Sequence, residues 1–417
     1  MNRELSKHPC FNAEVKRQYG RIHLPVAPEC NVRCNFCNRK YDCLNESRPG
    51  VTSTILSPHQ ALYYLKKMYD RDTRLSVVGI AGPGDAFANT NETLETLRLV
   101  REAFPDMLLC VATNGLNAPA HIAELARIGA THITITVNAV DPEVGALVYA
   151  WVRDGKKILR DTDGAKLLLE RQIETIRLCK ENNLAVKINS ILIPGVNDHH
   201  IIDVAKKVSK LGADLFNCIG MCSVPDTPLG NTPEPEQELV ETIRKQAKQY
   251  MPQMSHCTRC RADAVGCLGD KIPDSTIKLL RQAAAGPINP SEERPYVAVA
   301  SREGLLVNQH LGQAKYLWIF KQSDNGFELV EMRQTPPGGG EMRWRQLIGV
   351  LRDCRAVLTA AAGDKPVQAL KKAGIRVGII EGLIERALES VYEGSELEIY
   401  AMHGRCGSCA GGAKGCM

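Results

Sequence analysis

The chain lacks any apolar run close to the length of a bilayer span, which excludes an ordinary helical membrane protein. Its first twenty residues, MNRELSKHPCFNAEVKRQYG, contain no apolar core of the kind a secretory signal needs, so a cytoplasmic location is expected. Excess charge of either sign is scarce. The 52 basic and 47 acidic residues leave a net charge of +5, too mild to argue for nucleic acid or an anionic membrane surface as partner. No fixed-period repeat marks a solenoid. What is present is apolar content of 44%, enough for a sizeable core, and 417 residues, enough for two or three domains. The 16 cysteines, about 4% of the chain, are too sparse for a disulfide scaffold. A reducing compartment would keep them as thiols, so metal ligation or redox chemistry is the better use for them.

Twelve cysteines precede residue 271, Cys354 stands alone, and Cys406, Cys409 and Cys416 lie in the Gly-rich tail RCGSCAGGAKGCM. The stretch GPINPSEERP (286–295) reads as a linker. The expected organisation is therefore a cysteine-rich domain over 1–285, a linker over 286–295, a small domain over 296–402 and a tail over 403–417.

In the first domain short apolar runs at 22–27, 75–82, 108–113, 132–138, 185–192 and 214–220 read as strands. Helical patterns separate them, near 58–69, 91–104, 119–129, 165–182, 199–210 and 235–250. Ser57-Pro58 is a good cap and first-turn pair for the first of these. Six alternating units predict an α/β fold with a parallel sheet, an open or partial (β/α)6 barrel whose reactive groups gather at the C-terminal ends of the strands. Beyond the linker, strands at 296–301, 304–308, 315–322, 356–361 and 376–380, with helices near 342–352 and 383–392, predict a smaller α/β domain of mixed strand order.

The most informative segment is Cys30-Asn-Val-Arg-Cys34-Asn-Phe-Cys37, directly after the first strand. Three thiolates at this spacing can bind three irons of a [4Fe–4S] cluster and leave the fourth open to a small chelating molecule. A zinc site missing one ligand is the competing reading. Gly82-Pro83-Gly84-Asp85 ends the second strand, where glycines let backbone approach a ligand and an acid can meet an ammonium group; an ordinary strand-end turn explains it equally well.

A C-x3-C-x2-C loop after the first strand of such a barrel resembles the radical S-adenosylmethionine (SAM) enzymes. The strings HPCFNAEVKRQYGRIHLPVAPECNVRCNFCNRKYDCLNESRPG, AGPGDAFAN, ATNGL, IPGVND and HCTRCRADAVG narrow the resemblance to the NifB family of nitrogenase iron–molybdenum cofactor maturases, over most of residues 8–270. The second domain resembles the NifX/NafY-type domain, which implies a ribonuclease H-like fold that binds or passes on the cofactor.

The resemblance implies SAM on the Cys30/Cys34/Cys37 cluster, with Gly82, Pro83, Gly84, Asp85, Asn114 and Asn189 as contacts. It also implies two further [4Fe–4S] clusters. One set would combine His23, Cys43 and Cys110; the other, Cys10, Cys257 and Cys260. Without the family, His23 reads as a core histidine, Cys110 as a small buried hydrophobe, and Cys257/Cys260 as half a zinc site completed by His256 or Cys267. Glu46 is the candidate base for the proton that a methyl group must lose, with a plain ion pair to Arg48 as the alternative. Cys179 reads as packing, while Cys218, Cys222 and Cys267 depart from the family pattern. His310 either helps the second domain hold an iron–sulfur product or is simply an exposed loop histidine.

The function so implied is fusion of two [4Fe–4S] clusters, with a SAM-derived carbide and an added sulfide, into an eight-iron precursor. Reduced ferredoxin or flavodoxin would supply electrons, and iron–sulfur donor and cofactor carrier proteins would be partners. Another radical SAM maturase with auxiliary clusters, or a non-enzymatic cluster carrier, are the rival readings.

Overall fold

The computed structural model of the chain describes residues 7–47, 50–52, 54–285, 294–323 and 326–393. Arg48, most of the expected linker and the tail cysteines lie outside them. The chain divides into two compact units, Met1–Ala283 and Ala284–Met417.

The first unit runs β1 (Gly20–His23), β2 (Val32–Cys34), α1 (Pro58–Tyr69), β3 (Leu75–Ile80), α2 (Thr90–Ala103), β4 (Leu108–Thr113), α3 (Ile122–Ile128), β5 (His132–Thr136), α4 (Pro142–Val148), β6 (Tyr149–Asp154), β7 (Lys157–Leu159), α5 (Asp161–Glu181), β8 (Ala185–Leu192), α6 (Ile201–Lys210), β9 (Leu215–Gly220), α7 (Gln237–Ala247), β10 (Val265–Gly266) and α8 (Asp274–Ala285). Strands β1, β3, β4, β5, β8 and β9 lie side by side and parallel in that order. Strand β10 pairs antiparallel with the free edge of β1. This is the partial (β/α)6 barrel that strand–helix alternation predicts.

The strands alternate in a consistent way. Ile22, Val78, Leu109, Val111, Ile133, Ile135, Val186, Ile188 and Phe216 are fully buried, and amphipathic helices supply apolar stripes for such a face. In α1 that stripe is Ala61, Tyr64, Leu65 and Met68, and the helix opens with a reciprocal capping box between Ser57 and Gln60. In α6 it is Ile201, Val204, Ala205 and Val208. The intervening strand positions carry Arg21, His23, Gly79, Cys110, Thr134, Lys187, Asn189 and Asn217, and these line a cavity instead.

Two pieces of the first unit escape periodicity. Helix α4 is short, and β6–β7 form a hairpin that joins β2 in a separate three-stranded sheet. Strand β2 is three residues long, too short to show an alternating pattern.

The second unit runs β11 (Tyr296–Val299), β12 (Leu306–Val307), β13 (Tyr316–Ser323), β14 (Gly326–Gln334), α9 (Gly340–Val350), β15 (Cys354–Thr359), α10 (Asp364–Lys372), β16 (Arg376–Ile379), β17 (Gly382–Leu383) and α11 (Ile384–Glu393). Its main sheet has the order β14-β13-β11-β15-β16, antiparallel on one side of β11 and parallel on the other. Strand β14 and helix α10 are additions to the sequence reading. Strand β14 is an edge strand whose residues are largely exposed, so no apolar alternation announces it.

Candidate active site

The three-cysteine loop is built as a strand. Cys34 ends β2 and pairs with Tyr149 of β6, as Val32 pairs with Val152. Phe36, between the second and third cysteines, is 1% exposed and packs with Leu44, Leu116, Val148 and Tyr149. Burial pushes the Cys30 thiol up to about 11 and raises those of Cys34 and Cys37, and Cys34 feels Cys37, Cys43 and Cys30 as neighbouring negative charges. Burial thus favours the protonated thiols, and cluster binding would displace those protons. Among the described residues no three His, Cys, Asp or Glu side chains converge as a single-ion site. Cubane ligands each bind a different iron and need no such convergence, so the donor set fits a [4Fe–4S] cluster.

Gly82-Pro83-Gly84-Asp85 clamps that loop. A Cβ on Gly84 would stand 2.1 Å from the Glu29 carbonyl oxygen, so the close approach that requires glycine is to the chain's own backbone. Gly84 N–H donates to Ala27 O at 2.6 Å, and Asp85 N–H to Glu29 O at 2.8 Å. The Asp85 carboxylate, expected to meet an ammonium group, has partners inside the protein. It accepts from Phe87 and Ala88 N–H at 3.0 and 3.2 Å, Asn114 N–H at 2.6 Å and the Thr113 hydroxyl at 3.0 Å. Asn114 turns back to the same loop, donating to Asn31 Oδ1 at 2.7 Å and reaching Cys30 Sγ at 3.9 Å.

A separate cavity opens on the polar side of the sheet. It gathers Cys10, His23, Glu46, Cys110, Asn189, Cys257 and Cys260, all named from sequence, although they span some 250 residues. Gly79 makes room for His23: a Cβ there would lie 2.9 Å from the imidazole Cδ2. His23 Nδ1 lies 3.0 Å from Arg261 O, and because a carbonyl only accepts, Nδ1 carries the proton and Nε2 keeps its lone pair. Burial lowers the His23 pKa to about 4, so the ring is neutral and suited to ligation. Burial raises the Cys10 and Cys110 thiols to about 11 and about 12.

Glu46 is held at both oxygens, by the Thr136 hydroxyl at 2.9 Å and by Asn189 Nδ2 at 2.9 Å. Burial raises its pKa to about 7 against the opposing pull of Lys187 and those two hydrogen bonds. Asn189 also donates to Asn45 O at 3.0 Å and accepts from Asn217 at 3.0 Å. Its amide is therefore engaged in positioning Glu46, where a SAM contact was expected.

Asn45 Nδ2 reaches Cys43 Sγ at 3.6 Å and Cys34 Sγ at 3.7 Å, and Cys43 also feels the Glu46 carboxylate, so it lies between the three-cysteine loop and the cavity. Of the residues that could complete a zinc site, His256 donates from Nε2 to Pro9 O at 2.9 Å and the Cys267 thiol donates to Arg17 O at 3.4 Å. Cys179 and Cys218 are fully buried. Cys222 accepts from Arg259 at 2.5 Å, and Arg259, inside the Cys257–Cys260 turn, has a left-handed φ of 49°. His310 is exposed and its Nδ1 accepts from Gly312 N–H.

Four residues escaped the sequence reading. Arg21 Nη2 donates to Cys260 Sγ at 2.9 Å, His8 Nδ1 accepts from Cys10 N–H at 3.2 Å, and Lys187 and Thr134 line the cavity. For Arg21, Thr134 and Lys187 the signal was available: Arg, Lys or Thr alternating with Ile and Val in strands buried on both sides.

A parallel half-barrel with this loop after its first strand is the architecture of a radical SAM enzyme, and residues 24–208 match the family model of the Radical SAM superfamily. That class implies a [4Fe–4S] cluster and SAM. Residues 293–394 match the family described as Dinitrogenase iron-molybdenum cofactor. The chain is 50% identical over 423 residues to the FeMo cofactor biosynthesis protein NifB of Chlorobaculum tepidum, covering 100% of both chains. It is 37% identical to the NifB of Klebsiella pneumoniae, covering 89% of this chain and 86% of that one. The chain belongs to the NifB family, radical SAM proteins of FeMo-cofactor biosynthesis. Methylornithine synthase (PylB) aligns over 64% of this chain and 82% of its own at 14% identity and a TM-score of 0.39, too low to carry an argument. Among the described residues no helix is long and apolar enough to cross a membrane.

Proposed function

We propose that this enzyme fuses two [4Fe–4S] substrate clusters into an eight-iron cofactor precursor, with a carbide drawn from SAM and an added sulfide. The carrying observation is the cavity that unites Cys10, His23, Cys110, Cys257 and Cys260 around the Glu46 carboxyl. When bound at Cys30, Cys34 and Cys37, the resident cluster and SAM supply methyl transfer and 5′-deoxyadenosyl radical chemistry. His23 offers a neutral Nε2 and the four thiols offer sulfur, so the incoming clusters keep irons without protein ligands and free to rearrange. Glu46, near its midpoint at neutral pH, accepts a proton from the methyl-derived carbon, while Thr136 and Asn189 hold its two oxygens in place. Segment 43–46 runs from the three-cysteine loop to the cavity and so couples the two sites.

On this reading residues 1–285 form the catalytic domain, 286–295 the linker, 296–402 a product-handling domain and 403–417 a tail. The mixed five-stranded sheet of the second unit supports its ribonuclease H-like assignment. Reduced ferredoxin or flavodoxin as donor, iron–sulfur donor and carrier proteins as partners, and a cytoplasmic location complete the proposal.

The test is anaerobic reconstitution with iron counting. Roughly twelve irons per chain are expected, falling by about four when Cys10, Cys257 and Cys260 are replaced by alanine. A wild-type chain that saturates near four irons, or turnover that yields 5′-deoxyadenosine without S-adenosylhomocysteine, overturns the reading.

A further inference from the structure

Lys187 sits in the middle of β8, in register with Thr134 of β5 on one side and Leu215 of β9 on the other. It is 8% exposed, and its side chain lines the cavity. Among the described residues no carboxylate lies within ion-pair distance of its ammonium group. An unpaired buried ammonium would normally lose its proton. Here burial pulls that way, but Cys10, Glu46, Cys257 and Cys110 together raise the Lys187 pKa. Its charge is felt in turn by His8, His23 and His132, which line or back the same space. The groups facing it therefore come from both proposed ligand sets, Cys110 from one and Cys10 and Cys257 from the other.

A [4Fe–4S]2+ core on the thiolates of Cys10, Cys257 and Cys260 carries about one net negative charge, whereas one on His23, Cys43 and Cys110 is neutral, and reduction adds a negative charge to each. Once reduced, both clusters are anions in one low-dielectric cavity; they repel each other, and the repulsion grows as they approach. A buried anion also needs a counter-charge, which hydrogen bonds alone do not supply.

We propose that Lys187 is the shared counter-cation of the cavity, a single ammonium that offsets the charge of both substrate clusters and lets them come together. The proposal rests on the two-cluster reading above and assigns Lys187 an electrostatic role, without proton transfer.

The test uses the full chain, reconstituted anaerobically, as wild type, Lys187→Gln and Lys187→Arg. Iron per chain and an EPR-monitored redox titration are read together. In Lys187→Gln, reduction of the cavity clusters becomes at least tenfold less favourable. This is a shift of about 59 mV to more negative potential for one electron. The cluster on Cys30, Cys34 and Cys37, outside the cavity, keeps its potential as an internal control. Lys187→Arg, which preserves the charge, restores the cavity potentials. Should Lys187→Gln fold poorly, Lys187→Met is titrated in its place. Cavity clusters with wild-type occupancy and potential in the neutral variants overturn the proposal. If the wild-type chain itself holds only four irons, the two-cluster reading has failed first and takes this inference with it.

Discussion

Replacing Gly84 with alanine separates two reasons for a glycine in the Gly82–Asp85 turn. If the glycine admits SAM, the apo protein tolerates a methyl group and only ligand binding suffers. The structure points to the other reason. The added Cβ would stand 2.1 Å from Glu29 O, 2.6 Å from Glu29 C and 2.8 Å from Pro28 O, all backbone atoms that no rotamer change can move. An ordinary carbon–oxygen contact is about 3.3 Å, so the Pro28–Glu29 segment must retreat by roughly 1 Å. That retreat breaks the Gly84–Ala27 and Asp85–Glu29 backbone bonds at 2.6 and 2.8 Å. Two lost hydrogen bonds at about 1 kcal/mol each, with overpacking of about 1–3 kcal/mol, give a destabilisation of about 3–5 kcal/mol. For a unit of this size the melting temperature falls by roughly 10 °C. The assay is thermal unfolding of the full-length, metal-free chain, reduced and anaerobic, followed by far-UV circular dichroism. A Gly84→Ala chain that melts with wild type yet loses SAM binding refutes the packing argument.

Other outcomes follow from the same geometry. Because the folded-state pKa of Glu46 is raised, to about 7 from an ordinary 4.5, the native state holds a proton that the unfolded state has released. Apo stability attributable to Glu46 is therefore full below about pH 4.5 and declines as pH rises through 7. The loss is at most about 3 kcal/mol, and Glu46→Gln removes this dependence in urea titrations run from pH 5 to 8. Thr136→Val deletes a hydrogen bond that favours the Glu46 carboxylate, so the rising limb of the pH–rate profile moves to higher pH; an unmoved limb excludes Glu46 as the base. Phe36→Ala empties a buried aromatic site beneath the three-cysteine loop and costs about 3–5 kcal/mol, read as an earlier melt and weaker cluster absorbance. Gly79→Ala pushes on the His23 ring at 2.9 Å and costs about 1–3 kcal/mol, with reduced iron uptake in the cavity; wild-type stability would show that the ring gives way freely.

Several features could be read before any fold was known because their signals are local. The six parallel strands were legible from apolar runs. Strands 108–113 and 185–192 agree to the residue with β4 and β8. Ser57-Pro58 marked its helix because capping is a matter of neighbours in sequence. The three-cysteine loop was legible because its ligands are seven residues apart at most.

The rest required the sheet to close. Asp85 and Asn189 look like ligand contacts in sequence, but hydrogen-bond partners at 113–114 and 45–46 engage them, and only the tertiary fold brings those segments near. Alternation along β8 places Lys187 on the cavity side with Cys110 and Glu46. By itself the sequence determined the strand–helix alternation, the three-thiol loop and the family, because each is carried by short-range pattern or by near neighbours. The tertiary structure alone decided which thiols share a cavity, which residues hold Glu46, and where a buried positive charge meets them. Those depend on strand register and curvature, which bring residues from 8 to 268 to one surface.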